Sequence, residues 1–165
     1  MITLTAVNDL LFDRFEVRRV LVIAPLRVAR DTWPAEIEKW EHLSALRFAV
    51  EVGTEAERKA ALQKQADIHI INRENVPWLI ENSGILWQWD MVVVDELSSF
   101  KSHQAKRFRA LMKVRPKVKR IVGLTGTPTG NGLMDLWAKF RLLDMGEPST
   151  ERFPTSPFPC DQAIF

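Results

Sequence analysis

The stretch MVVVDELSSF, residues 91–100, drives an unbroken apolar run into two adjacent carboxylates, Asp95 and Glu96. A continuous β-branched segment suits a strand covered on both faces, as the strands of parallel sheets are. In open α/β sheets, ligands bind at the carboxyl ends of the strands. An aspartate placed there can hold magnesium against the terminal phosphates of a nucleotide. A glutamate beside it can orient and deprotonate an attacking water. The plainer alternative for such a pair is capping of the next helix.

Elements on either side repeat the pattern. RVLVIAP (residues 19–25) is a second β-branched run, closed by proline. The segment after it places Trp33, Ile37 and Trp40 on one helical face, with Asp31 expected as the N-cap and Pro34 in the first turn. LRFAVEVG (46–53) alternates like a strand, and Thr54 to Glu57 reads as a capping box. DIHIIN (67–72) is predicted to be a strand and the segment after it a short helix. SHQAKRFRALMKV (102–114) is predicted to be a helix, KRIVGLTG (119–126) a strand and NGLMDLWAKFRLLD (131–144) a helix. The chain is expected to begin in a helix over Ile2 to Leu11. Strands alternating with helices imply an α/β fold: a parallel sheet covered by helices on both sides, in three layers.

Composition narrows the function classes. No apolar run approaches the ~20 residues of a membrane span, and the first fifteen residues lack the basic and small-residue features of a secretory signal. A cytoplasmic location is the resulting expectation. His42, His69 and His103 lack zinc-ligand spacing, and the single cysteine, Cys160, gives no disulfide framework. Between Leu97 and Met134 there is no acidic residue, whereas nine Lys and Arg lie between Lys101 and Arg120. Lys106, Arg109 and Lys113 follow helical spacing, giving either a phosphate-binding face or a solvated one. The tryptophans, spaced among aliphatics, are read as core rather than as base-stacking platforms. From residue 147 the periodicity ends among prolines, so residues 1–146 read as one domain and 147–165 as an irregular tail.

In this order the segments resemble the motifs of superfamily-two helicase-like ATPases of the Swi/Snf type. VLVIAPLRVARDTWPAEIEKW resembles motif Ia, IINREN occupies the place of motif Ib, VVVDELSSFK is similar to the Asp-Glu box, and GLTGTPTGNGLMDLW is similar to motif III. The resemblance implies a RecA-like, P-loop NTPase lobe using ATP and magnesium on duplex DNA. It implies that Asp95 holds magnesium through water and that Glu96 activates the hydrolytic water. Thr125, Gly126 and Thr127 would sense the nucleotide. Pro25, Leu26 and Arg27 would lie along a DNA strand, with Asn72 and Arg73 nearby. Leu97 and Ser98 depart from the commonest form of the box.

No G-x-x-x-x-G-K-S/T loop occurs in the 165 residues. The strand expected before that loop and a second lobe with arginine fingers also lack counterparts, so the lobe reads as incomplete and not active alone. Loss of a central strand is expected either to be closed over by its neighbours or to leave unpaired edges. The rival readings are a non-catalytic module that binds nucleic acid or a protein partner, and a metal-dependent hydrolase built on Asp95 and Glu96 alone.

Overall fold

The computed structural model describes residues 2–100, 105–126 and 140–143. The predictions for Thr127, for Trp137 and for the tail from 147 lie outside the described residues.

The helix at the start, α1 (Ile2–Asn8), buries Leu4 and Val7 and continues through a π-turn that buries Leu11. Five strands follow in alternation with helices: β1 (Val20–Ala24), β2 (Phe48–Glu51), β3 (Ile68–Asn72), β4 (Met91–Val94) and β5 (Arg120–Gly123). The intervening helices are α2 (Trp33–Lys39), α3 (Glu55–Leu62), α4 (Val76–Glu81) and α5 (Lys106–Val114). All strand pairs are parallel, in the order β2-β3-β1-β4-β5.

Alternation along each strand divides the core into two clusters. Leu21, Ile23, Ile71, Val92 and Val94 point to one face, where Leu79 of α4 and Phe108, Leu111 and Val114 of α5 cover them. Val20, Val22, Ile68, Ile70 and Val93 point to the other, under Leu4 and Val7 of α1 and Trp33 and Ile37 of α2. The central strands β1, β3 and β4 are buried along their whole length. Each such side chain contributes about 1.5–3 kcal/mol by leaving water, so hydrophobic burial on both faces holds the three layers together.

Three expectations meet the structure differently. The capping box is present: Glu57 N–H donates to the Thr54 hydroxyl, and Thr54 N–H donates to Glu57 Oε2 at 2.7 Å. Asp31, in contrast, caps nothing. The chain is already helical from residue 26, so Asp31 sits inside the helix with its carboxylate on the Arg30 guanidinium. Pro34, which cannot donate to the carbonyl four residues back, is preceded by a widened π-turn, Val28–Thr32, in which Trp33 N–H reaches Val28 O. The sheet, expected either to close over a lost strand or to keep unpaired edges, has no internal gap among the described strands. The five strands pair without interruption, and β5 forms the outer edge among the described residues.

Candidate nucleotide and nucleic-acid site

Register builds the site. Ala24 lies beside Asn72, Ile23 beside Val94, and Val94 beside Gly123. The residues that follow, Pro25, Arg73, Asp95 and Leu124, therefore leave the sheet along one edge. Backbone bonds carry the ladder a step further: Asp95 N–H donates to Ile23 O at 2.7 Å, Leu124 N–H to Val94 O at 2.8 Å, and Leu97 N–H to Leu124 O at 2.7 Å. The loop carrying Asp95 and Glu96 is thus clamped between β1 and the segment leading to Thr125 and Gly126.

Among the described residues, two donors hold Asp95. Its Oδ1 accepts from Glu96 N–H at 2.9 Å and its Oδ2 from the Trp33 indole N–H at 3.0 Å. Glu96 has φ +56°, a left-handed conformation that a non-glycine residue adopts at a cost and that clusters at functional sites. Its exposed carboxylate receives a hydrogen bond from Arg73 Nη1 at 3.1 Å, while Arg73 Nε donates to Glu74 Oε1 at 2.8 Å. Each oxygen of Asp95 accepts one N–H from a described residue, and a carboxylate oxygen has a second lone pair for a further partner. That donor set suits magnesium, which binds through one or two carboxylates and fills its other positions with waters and substrate phosphates. Among the described residues no cluster of three or more His, Cys, Asp or Glu exists to cage a metal.

Leu97, the departure from the commonest Asp-Glu box, is buried over β5: a Cβ on Gly123 would lie 2.5 Å from Leu97 Cδ2. Gly123 leaves the room that this leucine fills.

The residues expected along DNA divide by exposure. Leu26 and Arg27 are exposed at the start of the helix after β1, beside half-buried Pro25. Arg73 is half-buried, and Asn72 is buried, with its amide donating to Glu74 Oε2 and its carbonyl accepting from Asn75. On α5, Lys106, Arg109 and Lys113 are exposed, and Lys113 Nζ pairs with Glu81 of α4 at 2.5 Å. That lysine, with Lys106 and Arg109 nearby, holds the Glu81 carboxyl below its usual value. Several other residues of the basic stretch have partners elsewhere, Arg107 donating to Ser99 O, whereas Lys117 is exposed. Arg115 is buried and donates to the carbonyls of Leu142, Leu143 and Val118, Lys119 pairs with Asp90, and Arg120 pairs with Glu16. Lys106, Arg109 and Lys113 thus share the exposed side of α5, while Arg115 is turned inward.

Three contacts escape the sequence. The Trp33–Asp95 and Arg73–Glu96 bonds span 62 and 23 residues, and nothing local announces them. The third is a buried pair, His69 Nδ1 with Glu51 Oε1, between β3 and β2. Burial pushes the Glu51 carboxyl up, opposed in part by His69, whose ring lies edge-on to Trp89 at 5.5 Å. Strict alternation from Ala49 would have put Glu51 on the same inward side.

A parallel sheet covered on both faces, with an Asp-Glu pair closing a buried strand beside the motif III strand, is the arrangement of a RecA-like lobe. The chain belongs to the SNF2-related domain family, whose profile matches residues 3–153. It is 41% identical over 151 residues to Putative protein p41 of Acyrthosiphon pisum secondary endosymbiont phage 1, covering 88% of this chain and 33% of that protein. It is 29% identical over 142 residues to Protein CHROMATIN REMODELING 5 of Arabidopsis thaliana, covering 77% of this chain and 8% of that one. Among solved structures it is similar to the Sulfolobus solfataricus SWI2/SNF2 ATPase core in complex with dsDNA, with TM-score 0.69 and 28% identity over 86% of this chain and 28% of that one. The chain thus spans a third or less of the length of each. No described helix is long and apolar enough to cross a membrane.

Proposed function

We propose that this chain is the nucleotide-facing lobe of a DNA-dependent, helicase-like ATPase, and that it binds duplex DNA without hydrolysing ATP by itself. The convergence of Pro25, Arg73, Asp95 and Leu124 on one sheet edge carries the reading. Asp95 would hold magnesium through water, which supplies charge neutralisation at the phosphoryl oxygens. Glu96 would accept a proton from the attacking water. Thr125 and Gly126, joined to the Asp-Glu loop through Leu124, would report the nucleotide state, with Thr127 beyond. Arg27 and the Lys106–Arg109–Lys113 face would meet DNA phosphates, positioning the duplex without reading bases.

The missing component is phosphate grip. In this chemistry the β- and γ-phosphates are cradled by backbone N–H groups and a lysine of a glycine-rich loop, and no such motif occurs in the sequence. Asp95 with magnesium is a weak substitute. That observation also favours a second reading, a non-catalytic module that binds nucleic acid or a protein partner.

Two measurements on the purified chain test the proposal. Phosphate release from ATP should stay at background with and without duplex DNA. Fluorescence anisotropy should detect salt-sensitive binding of labelled duplex. Turnover that disappears in Glu96→Gln would mean that another phosphate site exists, and absence of binding at low salt would leave only the protein-interaction reading.

A further inference from the structure

Trp33 is 8% exposed and packs in the core beneath β1. Its indole N–H is its one polar group, and a buried indole N–H ordinarily finds an acceptor. Here the acceptor is Oδ2 of Asp95. The other carboxylate oxygen is taken by Glu96 N–H. Two donors from different parts of the chain thus fix the plane of this carboxylate, and rotation of its terminal torsion would break both bonds. The donor also has a defined mechanical origin. Trp33 lies on the same continuous helix, residues 26–39, that begins with Leu26 and Arg27, and the Ala29 N–H to Pro25 O bond at 2.8 Å ties that start to the end of β1. The π-turn between them inserts one residue, which rotates everything after it by about one residue's step, ~100°. Such widened turns recur at functional sites.

We infer that Trp33 is a positioning residue for the metal-binding carboxylate and that it links the helix start facing DNA to Asp95. The inference rests on the proposed role of Asp95. An outer hydrogen bond that orients a ligating group typically changes metal affinity 10- to 100-fold when lost. Phenylalanine at position 33 keeps most of the packing and removes only the donor.

Manganese(II) alone, added to the isotope-labelled chain and followed by nuclear magnetic resonance, provides the test. The Trp33 indole resonance, assigned in the wild-type chain by triple-resonance spectroscopy, should broaden at manganese concentrations that leave those of Trp87 and Trp89 sharp. Asp95→Ala should abolish this selectivity and shift the Trp33 indole resonance, since its acceptor is gone. In Trp33→Phe, equal broadening of the Glu96 amide should need about tenfold more manganese. A Trp33→Phe titration matching wild type, with Asp95→Ala unresponsive, would show that Trp33 only packs, leaving the role of Asp95 intact. If Asp95→Ala titrates like wild type, the ion is not at Asp95, and both the inference and the proposed metal role fall. Should Trp33→Phe fail to fold, an indole resonance unmoved by Asp95→Ala would overturn the inference on its own.

Discussion

Arg73 Nη1 lies 3.1 Å from Glu96 Oε2. The arginine follows β3, the glutamate follows β4, and β1 lies between those strands. The contact therefore joins a residue expected to meet DNA to the one expected to activate water. Exposed pairs of this kind contribute about 0–1 kcal/mol, so the bond constrains the Glu96 side chain without stabilising the fold much. A DNA phosphate competing for Arg73 would release that carboxylate.

Arg73→Ala should accordingly change stability by less than about 1 kcal/mol while weakening duplex binding. If Arg73 neutralises one phosphate, the slope of log affinity against log salt should flatten by about 0.9. Chemical denaturation and anisotropy at several salt concentrations measure the two effects on the same protein; an unchanged slope would remove Arg73 from the DNA-contacting set.

The strained backbone at Glu96 makes an independent prediction. With φ at +56°, a side chain at this position costs about 1–2 kcal/mol relative to glycine in left-handed geometry. Glu96→Gly should therefore be more stable than Glu96→Ala by about 1 kcal/mol, the reverse of their order in a helix. Thermal unfolding of the two variants decides it, and equal midpoints would contradict the left-handed assignment.

On α5 the basic residues should not contribute equally. Lys106→Ala and Arg109→Ala should each flatten the duplex salt slope by about 0.9. Lys113→Ala should flatten it less, because Lys113 is already engaged with Glu81. Glu81→Gln should free that lysine and steepen the slope. If all three lysine and arginine variants behave like wild type, α5 presents a solvated face and the DNA contacts lie elsewhere.

The buried Glu51 predicts a pH dependence of stability. Burial raises its carboxyl value in the folded chain above the ordinary glutamate value, with His69 opposing. A group whose folded value is raised contributes stability fully below its unfolded value, about 4.3, and loses it as pH rises through the folded value. Relative to Glu51→Gln, the wild type should therefore be most favoured near pH 4 and progressively less so towards pH 8. Denaturation of both proteins across that range tests the sign; a difference independent of pH would mean that Glu51 titrates as it does when unfolded.

Much of this molecule was legible before folding was considered. The unbroken apolar runs at 20–24 and 91–94 announced buried parallel strands because a sheet covered on both faces leaves no reason for alternation. The Thr54 capping box was readable because its partners lie three residues apart. Asp31 misled because capping preference is a local rule, and here the helix had already begun at residue 26. The widened turn that admits Pro34 has no reliable local signature. Composition could not divide the basic run: charges close in sequence point in different directions, and Arg115 turned inward to three carbonyls.

By itself the sequence determined the parallel α/β architecture, the order of its motifs, and Asp95 and Glu96 as the carboxylates at a strand end. Those are consequences of periodicity and of chemistry carried within short segments. Only the tertiary structure decided that Asp95 is oriented by Trp33, that Glu96 is met by Arg73, that Leu97 packs over Gly123, and that β5 rather than a gap marks the end of the described sheet. Each of these depends on parallel register, which sets residues dozens of positions apart side by side. Hydrogen bonds a few ångströms long can select partners only after that register exists.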